Sequence, residues 1–205
     1  LLLAACVPLV ANGYWMSIAL TIAMFTVLAT SWALFSGPTH YISLATAAFF
    51  GVGGYLVGTG MSDYNMDFWT MVCIAPIVGA VLAFLIGIAT LRLSGVYFVI
   101  FTLGLAEMIR NLVSWIQNNF TGSRGLYVLT DLTEVDIYLY LVLLAAVVYG
   151  VGWWINRSRL GFALRIIGND ETVARHVGIN TATSKVILFT FSGFVAALVG
   201  ALIAP

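Results

Sequence analysis

"FWTMVCIAPIVGAVLAFLIGIATL", residues 68–91, runs for two dozen positions without a single charge. A helix on the surface of a soluble domain interrupts such a run with polar residues on its wet face, and a strand ends after about six residues. About twenty apolar residues at 1.5 Å per residue match the hydrocarbon core of a bilayer, so the run reads as a membrane-spanning helix. Comparable runs occupy 14–36, 42–60, 95–117, 137–155 and 186–204, and none has the alternating ten-residue pattern of a barrel strand. Residues 1–11 are also apolar but too short to cross alone. The chain has 205 residues, is 62% hydrophobic and 8% charged, and its mean hydropathy is +1.07, which excludes an ordinary soluble domain. The expected fold is all-α, a polytopic helical membrane protein with about six to seven spans in one transmembrane domain over 1–205. A start at Leu1 without Met and a stop at Pro205 directly behind a span read as part of a longer chain.

One stretch departs from this pattern. "RSRLGFALRIIGNDETVARHVGINTATSK", residues 157–185, carries five of the eight Lys and Arg residues and two of the eight acids. Basic residues near span ends stay on the cytoplasmic side, which places 156–185 inside. Counting back, 118–136 with Asp131, Glu134 and Asp136 falls outside, Arg92 and Ser94 inside, and 61–67 with Asp63 and Asp67 outside. Within the polar stretch Leu160, Ala163, Leu164 and Ile167 share one helical face. Gly168 suits a left-handed helix end, Asn169 a cap, Asp170 and Glu171 a first turn, Arg175 and His176 a last turn, and Gly178 the close. Two short helices lying along the membrane surface are expected, with Ala174 and Gly178 forming an exposed small-residue edge and Asp170, Glu171 and Arg175 on its rim.

"SGPTHYIS", residues 36–43, has no Lys or Arg, and Gly37-Pro38 predicts a discontinuous helix there. Behind it, Ser43, Ala47, Gly51, Gly54 and Gly58 recur at helical spacing. That stripe reads either as close helix packing or as backbone approaching a substrate path, with Phe49 facing lipid. Glu107, Arg110, Asn111, Ser114, Gln117 and Asn118 form a polar stripe on the fourth long run. Burying Glu107 alone in a bilayer costs roughly 2.5–3.5 kcal/mol, so it should pair with Arg110 and face protein, a polar vestibule or a subunit interface. The residues assigned to a substrate path are Ser43, Ala47, Gly51, Gly54, Glu107, Arg110 and Asn111.

Motifs for chemistry are missing: no phosphate loop, no H-E-x-x-H, no C-x-x-C and no converging Ser, His and acid. His40 and His176 fall on different elements. Cys6 and Cys73 sit in apolar runs as small hydrophobes. "TGSRG", residues 121–125, reads as a turn before an anion nest, and Asn119-Phe120-Thr121 as a glycosylation pattern of little weight. No catalytic residue, metal or cofactor is expected, and no nucleic-acid partner.

"ISLATAAFFGVGGYLVG", "LRLSGVYFVIFTLGLAEMIRNLV", "NNFTGSRGL" and "SRLGFALRIIGNDETVARHVGIN" together resemble, in the same order, segments of the permease subunits of branched-chain amino acid ABC transporters, over roughly residues 38–204. The resemblance implies a multi-pass protein of a bacterial or archaeal cytoplasmic (inner) membrane. It also implies a second permease subunit, identical or different, cytoplasmic ATPase subunits that bind the ATP, and an extracytoplasmic solute-binding protein. That family usually has Gly then His or Gln after Ser-Leu, where this chain has Ala45-Thr46. Related permeases carry urea, short amides or other amino acids. ABC importers dock their ATPase on a Glu-Ala-Ala, three residues, Gly pattern. Here Val173-Ala174 precedes Gly178 by that spacing with the acid early, at Glu171, so Arg165, Asn169, Asp170, Glu171, Ala174, Arg175 and Gly178 are the expected coupling residues. The competing class is a secondary transporter or channel using Glu107 and Arg110. A membrane-embedded enzyme ranks third, for want of converging groups, and a loop resting on headgroups through Arg157, Arg159 and Arg165 competes with the coupling role.

Overall fold

The computed structural model describes residues 13–90, 96–121, 130 and 132–204. Residues 1–11, Arg92, Ser94, Arg124, Asp131 and most of "TGSRG" lie outside them. Among the described residues are eight α-helices and no strand: α1 Gly13–Thr39, α2 Thr46–Tyr64, α3 Phe68–Thr90, α4 Val96–Ile116, α5 Glu134–Arg157, α6 Arg159–Asn169, α7 Glu171–His176 and α8 Thr181–Ile203. A π-helical turn, Gln117–Thr121, continues α4. Five helices are long and apolar enough to span a membrane: α1, α3, α4 with its extension to Asn119, α5 and α8. The expected span at 42–60 is α2, 19 residues long, whose glycines and polar end at Ser62-Asp63 keep it out of those five.

α8 is the axis of the bundle. Its small residues let two neighbours approach until backbones touch. A Cβ added at Gly53 of α2 would collide with the carbonyl oxygen of Ala197, and one at Gly200 with that of Phe50. On another side of α8, a Cβ on Gly193 would lie 3.3 Å from the Gly79 carbonyl oxygen of α3 and collide with Ala83. α1 completes the packing, with the Ser31 hydroxyl 3.3 Å from that of Ser192 and the Phe35 ring edge-on to Phe189 at 5.3 Å. Phe49 joins that aromatic group, 5.7 Å from Phe189 and buried, so the lipid-facing position expected for it is corrected.

The helix interruption expected near 36–43 lies at 40–45, a few residues later. α1 runs through Gly37 and Pro38 to Thr39, because a proline so near a helix end forfeits only one backbone bond. His40, at φ +57°, turns the chain out. The next residues climb back beside α1: Trp32 Nε1 donates to the Ser43 carbonyl at 2.8 Å, and the Leu44 N–H donates to Thr102 Oγ1 at 3.2 Å. Trp32 precedes Thr39 by about two turns, so α2 starts roughly 10 Å back along α1.

Charges sort between the two ends. One end carries Arg157, Arg159, Arg165, Arg175 and Lys185. The other has Asp63, Asp67, Glu134 and Asp136, with α1 and α5 meeting there through Ser17 Oγ and Glu134 Oε2 at 3.3 Å. Thr133 caps α5 in a reciprocal pair with Asp136, whose Oδ2 accepts from the Thr133 N–H at 3.0 Å. A cysteine at Thr133 is therefore expected to react with an impermeant thiol reagent added outside, in a background without other cysteines. One at Asn180 should react only after permeabilisation, and outside labelling of Asn180 reverses the orientation.

Candidate functional site

At the basic end, Ser158 starts α6 and Asp170 starts α7. The Asp170 carboxylate accepts from the N–H groups of Thr172 at 2.7 Å and Val173 at 3.3 Å, and these bonds hold its carboxyl below the ordinary range. Asp170, and not Asn169, is thus the cap. α6 continues through Gly168 to Asn169, so Gly168 is not the left-handed end expected of it. Gly168 is small for another reason: a Cβ there would strike the carbonyl oxygen of Pro38. Its own carbonyl oxygen lies 2.8 Å from His40 Nδ1, which ties α6 to the end of α1. α7 closes as read, with Gly178 at φ +84° and the Ile179 N–H bonded to the Ala174 carbonyl at 3.0 Å.

Glu171 is the node of this end. Its Oε2 accepts from Lys185 Nζ at 2.8 Å and from the Tyr41 hydroxyl at 2.9 Å; its Oε1 accepts from Arg175 Nη2 at 2.9 Å and Thr181 Oγ1 at 3.1 Å. Burial pulls this carboxyl upward, but the bonds from Lys185, Arg175 and Tyr41 and the Lys185 charge outweigh it and lower it to about 2. Lys185 is only 1% exposed and also lies 4.1 Å from the centroid of the Tyr41 ring. One carboxylate therefore joins α7, the first turn of α8 and the connection between α1 and α2.

The coupling residues divide accordingly. Glu171 faces inward rather than along a rim, and Ala174 is fully buried within the chain, so Ala174 and Gly178 do not form an exposed edge together. Thr172, Val173, Arg175 and His176 of α7, with Val177 and Gly178 directly behind it, are the exposed residues instead. Arg165 bonds Asn156 Oδ1 of α5 at 3.3 Å, away from that face.

The substrate-path residues are not brought to one place. Ser43 and Ala47 line an apolar groove of about 580 Å³ between α1 and α2, shared with Phe25, Trp32, Leu44 and Phe50. Gly51 is exposed, with open space where a Cβ would stand, while a Cβ added at Gly54 would lie 3.3 Å from the Gly200 carbonyl oxygen. The stripe thus splits into an open half and a packed half, and the tightest contact belongs to Gly53, one residue off it. Glu107 and Arg110 do pair, at 3.0 Å. They and Asn111 are exposed, on the side of α4 opposite the edge where Phe98, Thr102, Leu105 and Ile109 pack inward.

Tyr41, Thr181 and Lys185 are the members of the node that sequence reasoning passed over. The available signal was Lys185 itself, one residue before the apolar run 186–204, where an unpaired cation is costly.

A sequence model described as the permease component of the branched-chain amino acid transport system matches residues 14–205. The high-affinity branched-chain amino acid transport system permease protein LivM of Escherichia coli K12 is 28% identical over 238 residues, covering 100% of this chain and 55% of that protein. The LivM protein of Salmonella typhimurium LT2 is 27% identical over 236 residues, with the same coverage. The chain thus spans about half the length of these curated relatives. No solved structure gives a significant match. A polytopic all-α bundle, matched by that family across nearly its whole length, belongs to the permease components of branched-chain amino acid transport systems.

Proposed function

We propose that residues 1–205 form one permease domain of an ABC importer for branched-chain or related amino acids, in the cytoplasmic membrane of a bacterium or archaeon. Separate ATPase subunits bind and hydrolyse the ATP, and this chain has no catalytic residue or cofactor of its own. The observation that carries the reading is the mounting of α7 within 156–185. Val173 and Val177, 50% and 66% exposed, stand one turn apart outside the spans, beside exposed Arg175 and His176. That mixture suits a protein contact better than water. A push on α7 reaches α8 through Glu171 and Lys185, and reaches Tyr41, two residues before Ser43 in the groove wall. The Glu107–Arg110 face of α4 suits a second permease subunit or a polar vestibule, since lipid solvates neither charge. An extracytoplasmic solute-binding protein delivers substrate to the acidic end.

Val173→Asp combined with Val177→Asp is expected to leave insertion and melting of the permease unchanged while its ATPase no longer co-purifies. Retention of the ATPase by that variant removes α7 as the docking face. In proteoliposomes, uptake of leucine, isoleucine or valine should require ATP and the binding protein. Uptake driven by an ion gradient alone would favour a secondary transporter built on Glu107 and Arg110, and uptake of urea or short amides would reassign the substrate.

A further inference from the structure

A second groove, of about 520 Å³, opens between α1, α5 and α6, walled by Ala33, Leu34, Val148 and Trp153, with Asn156 and Arg165 at one end. Its walls span 30–38 of α1 and 148–156 of α5, roughly 12 Å along the helices. The polar end is the basic end of the bundle. Arg165 is steadied by Asn156, and the Arg157 guanidinium stacks 4.1 Å from the centroid of Trp153, so it stands over the groove wall. Neither of them, nor Arg159, has a carboxylate within ion-pairing distance among the described residues. Phe162 and Trp154 stand exposed beside them, the aromatic and arginine mixture that settles at headgroup level.

We propose that this groove is a binding site for one anionic phospholipid of the surrounding bilayer. Its acyl chain fills the apolar slot and its phosphate sits against Arg157 and Arg165. Two cations without acidic partners at the mouth of an apolar slot match a lipid of net negative charge and discriminate against a zwitterionic one, at about a fewfold per arginine. The site needs only a membrane-spanning bundle and is independent of whether α7 docks an ATPase.

The test is native mass spectrometry of the purified permease titrated with dioleoylphosphatidylglycerol, dioleoylphosphatidylcholine or glycerol 3-phosphate. The wild type should bind the phosphatidylglycerol about tenfold more tightly than the phosphatidylcholine, and bind no glycerol 3-phosphate at the same concentrations. Arg157→Gln with Arg165→Gln should erase that preference. Ala33→Phe, which fills the slot and keeps every charge, should weaken phosphatidylglycerol binding about tenfold, with melting temperatures confirming that both variants fold. Wild-type binding by Ala33→Phe overturns the site in favour of a loop merely resting on headgroups, or of a groove filled by another part of the protein. Glycerol 3-phosphate binding as tight as that of the lipid overturns it in favour of a free phosphate. Unchanged lipid binding by the arginine variant, with loss of the ATPase, reassigns those cations to a protein contact.

Discussion

Glu171→Gln should cost the permease most of its stability at the basic end and stop transport, whereas Lys185→Met should be clearly milder. The asymmetry follows from burial. Removing the carboxylate strands the ammonium of a side chain that is 1% exposed, and an uncompensated buried charge costs about 3–5 kcal/mol. Removing Lys185 instead leaves a carboxylate that is 25% exposed and still accepts from Arg175, Tyr41 and Thr181, a loss nearer that of one charged hydrogen bond, about 1.5–3 kcal/mol. The double variant Glu171→Gln/Lys185→Met should melt above Glu171→Gln alone, since no charge is then stranded. Equal losses in the two single variants, read as melting temperatures in detergent, would show that the pair is not buried as described. The pH dependence has a definite sign. A carboxyl lowered in the folded protein to about 2 from 4.5 contributes stability that is complete above about pH 4.5 and fades as the pH falls toward 2. Acid should therefore lower the melting temperature of the wild type through this group and do so less for Glu171→Gln.

Gly53→Val should eliminate folded permease, and Gly51→Val, two residues away, should be silent. A Cβ at Gly53 meets the backbone oxygen of Ala197, which cannot swing aside as a side chain can. α8 is itself pressed against α3 through Gly193 and Gly79, so it has nowhere to retreat. Overpacking costs of about 1–3 kcal/mol apply where a core can relax, and this one has backbone on both sides. At Gly51 a Cβ finds nothing within 4 Å. Gel filtration of detergent extracts measures the difference directly. A monodisperse Gly53→Val peak of normal height would contradict the close approach of α2 and α8.

Much of the architecture was legible because its causes are local. Charge-free runs specify spans, and the basic residues Arg157, Arg159 and Arg165 fall together at one end of the bundle as their place in the sequence implies. Gly178 specifies a helix end because few other residues adopt its φ without strain. What stayed hidden depends on partners far along the chain. The small-residue stripe left open whether α2 packs closely or lines a path, and could not say which of its glycines touch a neighbour, because that depends on how α2 and α8 are rotated against each other. Asn169 and Asp170 are both good caps, and only the extra residue of α6 chooses between them. Ala174 reads as exposed in a polar stretch until α7 is seated on its neighbours. Glu171 reads as one more surface acid, since nothing near it in sequence announces Tyr41, 130 residues away.

The central place of α8 also orders the events of synthesis. Ser31 meets Ser192 161 residues later, an interval of roughly 8–30 s at ~5–20 residues per second. During that time α1 and α3 have the length and hydropathy of spans, while the glycine-rich α2 is less apolar than either. Gly60 can settle against Met71 of α3, but Gly53 and Gly54 have nothing to close upon until α8 is made. The early helices therefore wait as an incomplete assembly, and translation that stalls before Thr181 leaves the ribosome holding a chain whose second helix lacks the backbone that Gly53 and Gly54 are shaped to meet.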